Sequence, residues 1–273
     1  MFSRFTLPLI ILSFSMQISF NYLAAQDEGH FGSKDYTKSG LVGILYDLKQ
    51  YTDGMPTGYD NPQYWNKVSE FLENDWNEST LDPYTRTSRS VYASRLFIPS
   101  MNSNKAPLAF GVEDSIQAPR WLIHYKGQVR VPEDGIYSIC GFADDLLVVR
   151  VNGEIVLLTR WSGRKPSDPW SSATATGFCI HNFGQHYKCG QHMVYGDPIA
   201  FKAGEIIDLD ILLADHGGRF AAWLYVLKKG EDYSRLQGSP VPPILQFSKE
   251  PVSIDESSPY MPPQSWSVWQ AIP

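Results

Sequence analysis

The chain has 273 residues and a formal net charge of −6, from 23 Lys and Arg against 29 Asp and Glu, with no basic run interleaved with aromatics. That balance excludes a nucleic-acid groove as its organising surface, and acidic loops suit a cation better than a phosphate partner. The length excludes a second large domain beside an all-β domain, which can run to about 250 residues.

In chain order, Arg4 precedes an apolar run over 5–20, and Leu23-Ala24-Ala25 puts small residues before Gln26. This predicts a signal peptide over 1–25 and a secreted, periplasmic or cell-surface protein of bacterial type. Gln17 and Asn21 interrupt the run, which argues against a retained membrane anchor. Residues 26–39 are polar and read as a flexible segment, residues 40–230 as one domain, and 231–273 as a Pro/Ser-rich, extended tail in which Trp266 and Trp269 either dock or stay exposed. Within the domain, 41–48 reads as a strand and 51–61 as a loop. Pro62 is placed to start a helix, and Tyr64, Val68, Phe71, Leu72 and Trp76 keep helical spacing through 77. Residues 91–99, 105–112 and 121–131 read as strands, with Pro119 before the last of them.

Residues 131–158 organise the rest as three strands and two tight turns. Asn152-Gly153 suits a two-residue turn with positive φ at both positions. Such a turn predicts Val151 opposite Glu154, Val149 opposite Val156 and Leu147 opposite Leu158, with Arg150–Ile155 and Val148–Leu157 on the other face. Both faces are largely apolar, so this hairpin is expected to be buried. Cys140 sits in the preceding strand, where a small buried thiol is at home.

The other turn of this stretch carries Ala143-Asp144-Asp145. Adjacent carboxylates repel weakly in water and strongly when packed, and a cation would remove the conflict. Successive side chains of an extended chain point to opposite sides, so aiming both at one ion requires an unusual backbone. On spacing alone the pair reads first as ordinary turn punctuation.

The run P-E-D-G-I-Y-S-I-C-G-F-A-D-D-L-L-V-V-R-V-N-G-E-I-V over 132–156 resembles the core motif of the protective-antigen-type lectin-like domain, often called the PA-fourteen domain. Residues 121–127 are similar to the strand entering that motif, 43–47 to the opening strand, and 203–213 with 220–227 to the last hairpin. The resemblance spans roughly 41–229 and implies an all-β sandwich, here with one short helix and a long loop insertion. Some members bind sugars through calcium held by an Asp-Asp pair and a later loop. Carried onto this chain, the resemblance implies Ca2+ at Asp144, Asp145 and Asp215, with backbone carbonyls of Gly217 and Arg219. The family position matched by Asp215 is usually Asn; Asp still offers oxygen to a hard cation and adds a charge. His216 and Gly218 share the same loop and are weaker candidates for ligand contact.

Residues 160–202 read as an insertion. Its Trp161 and Trp170, with Arg164 and Lys165, are candidates for sugar contact or for packing. Cys179 and Cys189 most simply form a local disulfide in an exported protein; zinc on Cys179, Cys189 and His192 with His181 or His186 is the sharper alternative, and matches no standard spacing well.

No nucleophile elbow, phosphate loop or zinc-protease helix is legible. His216 beside the Asp pair is the only arrangement suggestive of acid-base chemistry, and it reads more simply as a solvated loop residue. The expectation is a secreted, non-catalytic, calcium-dependent carbohydrate-binding module with a glycan or polysaccharide partner. The alternative is a structural or protein-interaction domain of the cell envelope that binds no sugar.

Overall fold

Alternating and continuous apolar runs bring most of the chain into strands. The computed structural model describes residues 29–35, 40–160, 178–179, 192–231, 235–236, 239–240, 244–248 and 268–272. Its elements are β1 (Leu41–Tyr51), α1 (Asn61–Glu73), a 3-10 turn (Glu78–Thr80), β2 (Tyr84–Arg86), β3 (Val91–Ala93), β4 (Phe97–Asn102), α2 (Lys105–Phe110), β5 (Trp121–Arg130), β6 (Gly135–Asp144), β7 (Leu146–Val151), β8 (Glu154–Arg160), β9 (Phe178–Cys179), β10 (His192–Tyr195), β11 (Ile199–Phe201), β12 (Ile206–Asp215), β13 (Arg219–Lys228), β14 (Arg235–Leu236), β15 (Ser239–Pro240) and β16 (Gln270–Ile272).

These strands build a β-sandwich. The larger sheet runs β2-β1-β5-β12-β7-β8, with β3 on β1 and β16 on β5; the smaller runs β4-β13-β6-β10-β9, with β11 on β6. Between them lies the main core, including Trp121, Ile123, Tyr125, Leu147, Val149, Ile211, Leu213, Phe220 and Leu224. The larger sheet is buried on its outer face too, where Leu122, Leu146, Val148 and Leu212 meet Tyr64, Val68, Phe71 and Leu72 of α1. This explains why β7 is apolar at every position from Leu146 to Val149, each fully buried. Burying one such side chain contributes about 1.5–3 kcal/mol.

Helix α1 starts where its caps dictate. The Asp60 carboxylate accepts from the Gln63 amide, and the Gln63 side-chain oxygen accepts from the Asp60 amide, both at 2.9 Å. This reciprocal pair is worth about 1 kcal/mol. The helix ends at Glu73, short of the 77 that its spacing suggests, because Asp75 and Trp76 turn to positive φ of 52° and 57°. Trp76 still reaches the same cluster as the helix stripe.

Other expectations are corrected. Residues 105–110 are helical, not a strand: Ala106, Pro107, Ala109 and Phe110 make one buried face, and Gly111 at φ 69° closes the helix. The stretch 91–99 divides into β3 and the start of β4. The β7–β8 hairpin begins as expected, with Val151 opposite Glu154 and Arg150 opposite Ile155. Beyond them the register shifts, so Val149 faces Leu157, Val148 faces Leu158 and Leu147 faces Thr159. Val156 is the extra residue of a bulge, which the alternation does not reveal. Finally, 206–213 and 220–227 are not a hairpin. β12 pairs with β5 and β7 in the larger sheet, whereas β13 pairs with β4 and β6 in the smaller.

Described residues on either side of the domain contribute to the core. Phe31, in the stretch read as flexible, is fully buried and stacks on Phe220 at 6.2 Å. In the stretch read as an extended tail, residues 244–248 and 268–272 dock on the sandwich, and Trp269 is 1% exposed. Cys140 lies fully buried in β6, where burial pushes its thiol above the ordinary range. Residues 1–25, read as a signal peptide, and Trp161, Arg164, Lys165, Trp170, His181, His186, Cys189 and Trp266 lie outside the described residues. The backbone of Cys179 pairs with that of His192, but their side chains are not described either, so the proposed bridge falls outside as well. Among the described residues, no helix is long and apolar enough to cross a membrane.

Candidate functional site

Two of the connections that pass from one sheet to the other, β6–β7 and β12–β13, lie side by side. On the smaller sheet Asp144, the last residue of β6, faces Ala221; on the larger sheet Leu146, the first of β7, faces Ala214. The arch through Asp145 and the arch over 215–219 therefore cross the same end of the sandwich in parallel. Topology, rather than sequence proximity, brings Asp144, Asp145, Asp215, His216, Gly217, Gly218 and Arg219 together. The Asp144–Asp145 peptide bond is cis.

The three carboxylates differ in environment. Asp144 is half-buried, Asp145 is 4% exposed and Asp215 is fully buried. The His216 amide donates to Asp145 Oδ2 at 2.9 Å, and His216 Nδ1 meets the same oxygen. Neither oxygen of Asp215 makes a hydrogen bond of regular geometry. Burial, then the Asp145 charge and more weakly that of Asp144, push its carboxyl up to about 8, against small opposing pulls from the Ser103 hydroxyl and the Gly217 amide. A buried carboxylate facing two others carries an unresolved cost that a proton or a cation would relieve.

The surroundings hold the arches in place. Opposite Asp215 in β5 is Trp121, whose Nε1 donates to the Ser103 carbonyl at 3.1 Å; the Ser103 amide donates to the Gly218 carbonyl at 3.2 Å. Gly217 has φ 132°, and a Cβ there would lie 2.9 Å from the Pro119 side chain, so both its conformation and its close approach require glycine. The Arg219 side chain turns away to β4, donating to the Ser100 hydroxyl at 2.8 Å and the Ser100 carbonyl at 2.7 Å. Only its backbone carbonyl remains a candidate ligand. Trp65 of α1 stands beside the arch, its ring centroid 6.0 Å from that of His216.

Composition gave no sign of Ser103 or Trp65, because 112 and 151 residues of chain separate them from the arch, as their numbering against Asp215 and His216 shows. His216 is half-buried and meets Asp145, rather than standing isolated in its loop. Among the described residues, no group of three or more His, Cys, Asp or Glu side chains stands at the spacing of a formed metal site.

No protein-family model matches the chain, and no curated protein does. Among solved structures it is similar to the PA14 domain of an antifreeze protein, at 15% identity and a TM-score of 0.40 over 70% of this chain and 82% of that one. It is similar to the PA14 sugar-binding domain of an RTX adhesin, at 13% identity and a TM-score of 0.41 over 72% of this chain and 93% of that one. A third is the A domain of epithelial adhesin 6 from Candida glabrata in complex with Galb1-3GlcNAc, at 15% identity and a TM-score of 0.39 over 71% of this chain and 81% of that one.

Proposed function

We propose that the chain is a non-catalytic carbohydrate-binding module whose paired arches hold calcium and present it to glycan hydroxyls. The observation that carries this reading is Asp215, a fully buried carboxylate with no regular hydrogen bond, set against Asp145 and Asp144. The resemblance of 132–156 to the core motif of the PA-fourteen domain, some members of which bind sugars through calcium, supports it. Asp144, Asp145 and Asp215 would supply carboxylate oxygens, and Gly217 and Arg219 their carbonyls. Calcium takes six to eight oxygens, so such a set leaves positions for vicinal sugar hydroxyls. Ligation requires the three carboxylates to draw together. A secreted setting accords with the apolar leader.

The test is calorimetric titration of calcium into the metal-stripped protein, with Asp145→Asn alongside, followed by a glycan screen with and without calcium. Saturable binding lost in the variant, and glycan retention that needs calcium, are the expected results. Glycan binding indifferent to both calcium and Asp145 would sink the reading.

A second reading follows from one contact. His216 already meets Asp145 with its amide and its ring, so the arches form a self-contained structural joint of a protein-interaction domain. No calcium uptake and no glycan retention, with the fold intact, would favour it.

A further inference from the structure

A cluster of charged side chains lies on the outer face of the larger sheet, away from the arches. His124 of β5 is 3% exposed. Its Nε2 lies 2.8 Å from Asp210 Oδ1 of β12; its Nδ1 lies 3.2 Å from Glu78 Oε1 of the 3-10 turn, a charge contact without regular hydrogen-bond geometry. Lys126 of β5 reaches the same Glu78 oxygen at 2.6 Å. Arg150 of β7 bonds Asp210 at 3.0 Å and Asp75 at 2.8 Å, and its guanidinium lies 4.9 Å from the centre of the Trp76 ring. Tyr46 of β1 adjoins Glu78, Arg86 of β2 and Asp82 in the same corner. The His124 ring is flanked edge-on by Phe71 and Trp76, at 5.6 and 5.5 Å.

Charge balance gives this cluster its logic. Lys126 and Arg150 leave the carboxylates of Asp75, Glu78 and Asp210 one positive charge short, and protonated His124 supplies it. Beyond the cluster, the segment is held by the buried Trp76 ring and by backbone bonds from the Asn74, Trp76 and Asn77 amides. Asp75 and Trp76 adopt consecutive positive φ, which non-glycine residues avoid. Asn77 caps the 3-10 turn, and Asp75 is otherwise exposed.

We propose that His124 is a pH-dependent clasp: its protonated ring ties the turn over 74–80 to the larger sheet through Glu78 and Asp210, and deprotonation opens that turn while the sandwich stays folded. Burial opposes charging of His124, but the hydrogen bond to Asp210 and the charges of Asp210 and Glu78 outweigh it, and its pKa is raised. A raised folded pKa means that the clasp is fully closed below the ordinary histidine value of about 6.5 and is lost as pH rises through the higher folded value. Glu78, drawn down to about 2 chiefly by the neighbouring His124 ring and then by Lys126, stays charged throughout that window.

The experiment is NMR of the full chain with labelled histidine. It follows the His124 ring and, in parallel, exchange of the Trp76 and Asn77 amides, which donate to Phe71 and Asn74 carbonyls. After correction for intrinsic base catalysis, exchange of both amides should rise at least tenfold with the midpoint of the His124 titration. Glu78→Gln should lower that midpoint, and His124→Gln should remove the step. Titration of His124 without a change in protection, or the same step in His124→Gln, would overturn the clasp. If His124→Gln does not fold, the wild-type comparison and Glu78→Gln decide.

Discussion

The backbone amide of His216 and its ring both converge on one oxygen of Asp145, the amide at 2.9 Å. One arch is thereby tied to the other through a group proposed to bind calcium. Removing the ring in His216→Ala keeps the amide bond and frees the oxygen from a competitor. Calcium affinity in that variant should stay level or rise by up to about threefold, a change below 1 kcal/mol. A loss of tenfold or more, read by calorimetry, would place the imidazole among the groups that build the site instead.

Asp215 makes the stability of the metal-stripped protein depend on pH. Its carboxyl is raised to about 8, chiefly by burial and by Asp145. The sign follows from linkage: the folded state holds the proton more tightly than the unfolded chain, so the favourable contribution is complete below about 4 and is lost as pH rises to about 8. Thermal unfolding in a chelator should show midpoints falling across that window. Asp215→Asn should flatten the slope and gain on the order of 3 kcal/mol at pH 8. Added calcium should flatten it in the wild type alone. An equal slope in Asp215→Asn would mean that another group drives it.

Much of the sandwich is legible because its causes are local. The Asn152-Gly153 turn appears with φ of 50° and 88°, as the residue pair demands. The apolar faces of β7 predict burial on both sides, and α1 supplies the second cover. What is not legible depends on partners distant in sequence. Residues 105–112 read as a strand, whereas the helix over 105–110 goes with the packing of Ala106, Ala109 and Phe110 into the core. The bulge at Val156 depends on how β8 meets β7, not on either strand alone. At the site, the Asp-Asp pair is visible by adjacency. The side-by-side arches arise only because β6 and β13 lie in one sheet while β7 and β12 lie in the other. Ser103 and Trp65 are invisible for the same reason.

Trp269 ties the C-terminal stretch to the domain. Its ring meets Tyr137 at 5.2 Å and Phe201 at 5.3 Å, both edge-on, and its amide donates to the Gln246 carbonyl at 2.8 Å. The neighbouring β16 pairs with β5. Trp269→Ala should destabilise by about 3–5 kcal/mol, the cost of removing a large buried ring from a packed site. Denaturant unfolding measures it directly. A loss under about 1 kcal/mol would mean that the stretch is a detachable tail.

Gly141 sits at the centre of β6, between β13 and β10. A Cβ there would lie 2.4 Å from the Trp223 carbonyl oxygen and 2.9 Å from Leu147 Cδ2. The side-chain contact can relax by rotation, but the carbonyl belongs to the paired strand and moves only with the ladder. Gly141→Ala should therefore cost about 3 kcal/mol or more, the upper range for overpacking a core. Its effect should exceed that of Gly135→Ala on the same strand, where the nearest atoms, Lys228 Cε at 2.8 Å and Tyr137 Cε2 at 2.9 Å, belong to side chains. Paired denaturant melts of the two variants test the ordering. Equal stabilities would mean that the smaller sheet yields by a few tenths of an ångström at its centre, and the close approach of β6 and β13 would then not be a constraint on the sequence.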